Sequence, residues 1–107
     1  MAENLDTVEL LDNPHPGETL KEDFLEPLGV SAYRLAKATG LSQGHVADLI
    51  KGKRNITPET AIRLSAALGT SAEFWMRLQA HYDLLEIRRK QANQSFHVTR
   101  LVGSLPV

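Results

Sequence analysis

The 107-residue chain contains no cysteine, which removes both disulfide frameworks and thiolate metal sites. No apolar run approaches the roughly 20 residues that a membrane span needs. The amino terminus, Met-Ala-Glu-Asn-Leu-Asp, lacks the basic start and apolar core of a signal peptide, so a cytoplasmic protein with no membrane partner is expected. There is no glycine-rich phosphate loop, and the lysines, serines and aspartates are too scattered to suggest a hydrolase. The four histidines, His15, His45, His81 and His97, show no i, i+4 pairing and no carboxylate at ligand spacing. No catalytic residue, metal or cofactor is therefore expected. At this length, with 42% hydrophobic residues, the chain forms one domain with one modest helical core, and a partner subunit would help its stability.

What is present begins with charge. The net charge is −1, unpromising for a nucleic-acid ligand, but it is unevenly divided. Residues 1–29 carry eight acids and one lysine, net −7. Residues 30–80 carry seven bases and three acids, net +4, and residues 81–107 are net +2. The middle of the chain is thus locally basic. The acidic leader, residues 1–14, reads as a flexible segment, either a solvated arm or a contact surface for a basic partner.

The basic region contains the most constrained stretch, Ser31 to Lys51. Leu35 and Ala36 supply a core residue and a small residue where two helices cross closely. Gly40 supplies the residue that tolerates positive φ in a tight turn, Leu41 anchors the turn, and Ser42 is an N-cap. Val46, Leu49 and Ile50 then make one apolar face, leaving Gly44, Ala47, Asp48 and Lys51 on the opposite face, available to a DNA groove. The pattern is a helix-turn-helix.

Around it the chain reads as five helices. Pro16 opens the first, with Glu18 against the positive end of its dipole and Leu20, Phe24 and Leu25 as its buried stripe, and Pro27 with Gly29 is expected to stop it. Gly52 ends the third helix. Thr57-Pro58-Glu59 caps the fourth, which is expected to bury Ala61, Ile62, Leu64 and Leu68. Ser71 caps a long fifth helix with a stripe of Phe74, Trp75, Leu78, Tyr82 and Leu85, the aromatics read as core. Leu84 and Ile87 face another side, and either close the monomer core or pack on the same helix of a second chain. The domain is expected to end near residue 91, and the tail, residues 92–107, is either disordered or docked on a partner.

Several short stretches resemble the HigA family of antitoxins, within the Cro/CI (XRE-type) class of helix-turn-helix proteins. They are His15-Pro16-Gly17-Glu18, Leu35-Ala36, Gly40-Leu41-Ser42, Gly52 to Thr57, Ala61, Arg63-Leu64, Ala67-Leu68-Gly69, Phe74-Trp75, Leu78-Gln79 and Tyr82-Asp83-Leu84. The likeness spans about His15 to Leu85. It implies an all-α, five-helix lambda-repressor-like domain with a long C-terminal dimerisation helix. It also implies a homodimer that binds a palindromic operator of its own operon in double-stranded DNA, represses it, and neutralises a small basic RNase toxin of the HigB type. Gly44 and Asp48 depart from the amide or base more usual on the groove-facing side.

Individual roles follow from side-chain chemistry. The expected base readers are Gln43, whose amide can bond adenine, Gly44, Ala47 against a thymine methyl, Asp48 and Lys51. Asp48 either accepts from a cytosine amino group or turns away to pair with Lys51 or Arg34. His45 either touches DNA or is a helix-face residue without a role. Ser31, Tyr33, Ser42, Lys53 and Arg54 are expected on phosphates, where they position the protein without reading sequence. Two other readings stay open: a Cro/CI-type repressor without a toxin, and a helical interaction protein that has lost DNA binding.

Overall fold

The computed structural model describes residues 12–93 and 96–103, so the leader through residue 11 and the end of the tail lie outside the described residues. The described residues form five helices and no strand, the all-α architecture expected. Helix α1 covers residues 16–28 in three parts: an α-helical turn Pro16–Thr19, a π-helical segment Leu20–Leu25 and a closing turn Glu26–Leu28. Then follow α2 (Ala32–Thr39), α3 (Gln43–Ile50), α4 (Pro58–Leu68) and α5 (Ala72–Asn93), the last running two residues past the expected boundary.

The start of α1 explains the His15-Pro16-Gly17-Glu18 string. His15 is the N-cap, its Nδ1 accepting from the Gly17 N–H at 2.9 Å, while the Glu18 carboxylate accepts from the His15 N–H. That is a capping box with histidine in the place usually taken by serine or threonine. Pro16 occupies the first turn, where its missing N–H costs nothing. Gly17 is there for space: a Cβ would overlap the carbonyl of Leu49, so only glycine lets α1 lie against the end of α3.

The helix stops at Pro27 and Gly29 as expected, ending at Leu28, with the proline inside its last turn. The helix widens to a π-turn just before it, with the Glu26 N–H reaching back to the Lys21 carbonyl, and continues to Leu28. Widening relieves the clash of a proline ring with the preceding turn, so the last turn can include the proline. The helix ends at Gly29, where the Val30 N–H closes onto the Leu25 carbonyl at 2.9 Å.

The core is built from Leu20, Leu25, Leu35, Ala36, Val46, Leu49, Ile56, Ala61, Leu64 and Trp75. Trp75 is fully buried, donates its Nε1–H to Thr70 at 2.6 Å, and packs against Phe24 and Phe74 with ring centroids 5.1 and 5.0 Å away. These rings fasten α1 to α5. Ile62 does correct an expectation: it is 60% exposed, because the inward stripe of α4 runs through Thr60, Ala61 and Leu64 and leaves Ile62 outside it. Leu84 and Ile87 are 51% and 40% exposed, so they do not close the monomer core. Nine residues along a helix make about two and a half turns, which places Leu84 opposite Trp75. Residues 96–103 have no regular secondary structure, and Phe96, Val98, Leu101 and Val102 are exposed.

Candidate nucleic-acid interface

The two helices at the centre of the unit meet as the sequence predicts. Leu35 and Ala36 of α2 are buried, Gly40 turns the chain with φ +79°, Leu41 is half-buried against the core, and Val46 and Leu49 of α3 are fully enclosed. The turn is further held from below. Thr39 Oγ1 donates to the Leu35 carbonyl at 2.7 Å, and Arg63 Nη1 of α4 donates to the Thr39 carbonyl at 2.7 Å, so the C-terminal end of α2 is satisfied by a cation as its dipole favours.

Both helices present capped N-termini. Ser31 Oγ accepts from the Arg34 N–H and Ser42 Oγ from the His45 N–H, at 3.1 and 3.0 Å. Each hydroxyl is used as an acceptor by its own helix, which leaves its proton free to donate to an anion beside a positive helix end. Tyr33 is exposed, with the Lys37 ammonium 5.6 Å from its ring centroid, so this edge of α2 carries a cation and a phenol together.

The outer face of α3 carries Gln43 and Gly44, both exposed, then half-buried Ala47 and Asp48, with exposed Lys51 as the C-cap. Asp48 does turn to a partner, but not to Lys51 or Arg34: its carboxylate lies 3.9 Å from Nη2 of Arg54, in the loop beyond α3. The loop is pinned where it leaves the helix, the Lys53 N–H bonding the Asp48 carbonyl at 2.8 Å and the Gly52 N–H the Leu49 carbonyl at 3.0 Å. It is pinned again at Ile56, whose buried N–H donates to Gln79 Oε1 at 2.7 Å. Gln79 Nε2 in turn donates to Asp83 at 3.0 Å. Lys53 and Arg54 are therefore exposed side chains on a fixed backbone.

His45 has a role that the sequence left open. It is half-buried, with Nε2 3.4 Å from Thr60 Oγ1, and so joins α3 to the start of α4. Burial lowers its pKa, and the Arg54 guanidinium lowers it further. Beside it opens a cleft of about 360 Å³ whose walls include Ser42, Arg54, Thr57, Glu59 and Arg63. All ten residues expected at a DNA surface lie along α2, α3 and the loop that follows, and none is fully enclosed.

A helix-turn-helix family model matches residues 21–75. Antitoxin HigA-1 of Vibrio cholerae is 40% identical over 89 residues, which cover 83% of this chain and 84% of that protein. Virulence-associated protein I of Dichelobacter nodosus is 43% identical over 70 residues, 65% of either chain. Among solved structures, the Pseudomonas aeruginosa antitoxin HigA with the higBA promoter superposes with a TM-score of 0.78 at 36% identity, covering 85% of this chain and all of that one. The chain belongs to the HigA family of helix-turn-helix proteins.

As a HigA-family chain it shows what its characteristic strings do. Tyr82 meets the His15 ring edge-on at 4.9 Å, Trp75 centres the core, and the Gln79–Asp83 pair clamps the loop carrying Lys53 and Arg54. Asn13 adds a further tie, its amide donating to the Tyr82 carbonyl and to Glu86, both at 3.0 Å, so that the chain just before α1 is moored on α5. Gln79 was missing from the expected site. Besides the Leu78-Gln79 string of the family likeness, its signal in the sequence is a polar residue at i+4 from Trp75, inside an otherwise apolar stripe.

Proposed function

We propose that this HigA-family chain is a homodimeric, operator-binding repressor and the antitoxin of a HigB-type RNase toxin. The observation that carries the DNA-binding part is the combination of the exposed face of α3 with two capped helix N-termini and the pinned loop of Lys53 and Arg54. Gln43 and Lys51 read base edges, Ala47 meets a thymine methyl, and Gly44 permits close approach. Ser31, Tyr33, Ser42 and Lys53 hold phosphates. The relative crystallised with the higBA promoter supports the same ligand. Leu84 and Ile87, exposed on the side of α5 away from the core, supply the dimer contact that a two-fold operator requires. Such a protein works in the cytoplasm, with its DNA.

Toxin neutralisation rests on family membership. The exposed acids Glu18, Glu22, Asp23 and Glu26 on α1 continue the acidic leader and offer a basic toxin a complementary surface.

The test is selection of bound duplexes from a random library at about physiological salt, followed by titration with the product of the adjacent reading frame. A two-fold site with half-sites about one helical turn apart is expected, as is a stable complex with a toxin whose expression alone stops growth. Failure to enrich any site, with only weak salt-sensitive binding, would refute the repressor. A neighbouring product that neither binds nor stops growth would refute the antitoxin.

A further inference from the structure

A carboxylate on a surface that approaches DNA repels phosphates, and Asp48 stands on such a surface, its side chain 44% exposed. Its partner Arg54 is 49% exposed, and an ion pair of this kind contributes only about 0–1 kcal/mol to stability. Folding therefore gives little reason for the pair. Its placement is more informative: the Arg54 backbone is pinned two residues beyond by the Ile56–Gln79 bond, and on the preceding side by the Lys53 N–H bonded to the carbonyl of Asp48 itself. One turn before Asp48, a Cβ at Gly44 would meet nothing within 4 Å, so the surface of α3 leading to the pair is uncovered. The Arg54 guanidinium, 3.9 Å from the Asp48 carboxylate and half exposed, keeps its planar fork of donors available, the shape that matches guanine O6 and N7.

We propose that Arg54 reads a guanine in the major groove and that Asp48 is the positioning residue that holds its guanidinium. The inference rests on the DNA-binding reading above and deepens it: Arg54 moves from the phosphate contacts to the base contacts, and each half-site contains one G·C pair that the couple selects. Asp48 acts through Arg54 and does not read a base by itself.

The test is equilibrium binding of the full-length protein to its selected operator and to all single-base-pair variants of one half-site, across a range of salt, for the wild type, R54K, D48A and the double variant. Both side chains are half exposed, so the variants are expected to fold, and thermal melts check this. If Arg54 reads guanine, R54K keeps its charge and its salt slope but loses roughly 5–150-fold on the selected operator and becomes indifferent at one base pair. D48A loses discrimination at that same pair, and the double variant is no worse than R54K. Three results would each overturn the inference while leaving the DNA-binding reading intact: R54K indistinguishable from wild type, losses that add or fall at different base pairs, or D48A tightening every sequence alike. A wild type that selects no site overturns both.

Discussion

Gln79 offers the sharpest test of how α5 supports the proposed DNA surface. Its Oε1 accepts from the buried N–H of Ile56 at 2.7 Å, and Ile56 is itself in the core. Gln79→Met preserves length and volume but removes the acceptor, so the Ile56 N–H is left buried without a partner. An orphaned buried donor costs about 1–3 kcal/mol, and the Asp83 carboxylate that received the amide is at the surface and rehydrates with little loss. The expected cost is about 2 kcal/mol, a fall in Tm of about 8–16 °C for a domain of this size. Denaturant titration at a fixed protein concentration measures it, since the stability of the proposed dimer would depend on concentration. Asp83→Ala should cost under about 1 kcal/mol in the same assay. A Met variant within about 0.5 kcal/mol of wild type would refute the reasoning, because it would mean the loop satisfies Ile56 in some other way. Operator affinity should fall together with stability, as the released loop carries Lys53 and Arg54.

Gly17→Ala should destabilise by about 3 kcal/mol or more, read by chemical denaturation, since the new methyl overlaps the Leu49 carbonyl and backbone cannot move aside as a side-chain tip can. For His45 the folded-state pKa lies below its ordinary 6.5, so the unfolded chain takes up the proton first. The contribution of His45 to stability is therefore complete above about pH 6.5 and is lost as the pH falls toward the folded pKa. His45→Asn should remove that part of the acid dependence of Tm, and unchanged profiles would contradict the assignment. Replacing Leu84 and Ile87 together by glutamate should leave the far-UV circular dichroism intact but halve the mass in sedimentation, and a dimer that persists would place its contact elsewhere.

The helix-turn-helix was legible because each of its requirements is local. A small residue at Ala36, a positive φ at Gly40, a cap at Ser42 and an apolar pair at Val46 and Leu49 each leave a mark within a single turn of helix. The expected caps at Ser42, Thr57 and Ser71 are present for the same reason. What was hidden depends on neighbours distant in the chain. Ile62 looks like core from its side chain alone, yet lies off the stripe that α2 and α5 cover. Pro27 and Gly29 mark the end of α1, but the π-turn that accommodates the proline leaves no mark in the sequence. Gln79 and Ile56 are 23 residues apart, and no periodicity links a glutamine on one helix to a backbone donor in a loop. Helical spacing and the neighbouring helix suggest Lys51 or Arg34 as the partner of Asp48, whereas the chain folds back after α3 and brings Arg54 instead.

Helix α5 holds the loop of Lys53 and Arg54 with Gln79 on one side and exposes Leu84 and Ile87 on another, only a few residues further along. In a dimer joined through that helix, the distance between the two reading heads is set by a rigid rod with no flexible joint between them. One added base pair at the centre of an operator shifts its halves by about 3.4 Å and rotates them by roughly a tenth of a turn. Such a dimer cannot follow that movement by flexing a linker. It would have to strain its own interface or bend the duplex, so it tolerates changes of letter in an operator better than changes of length.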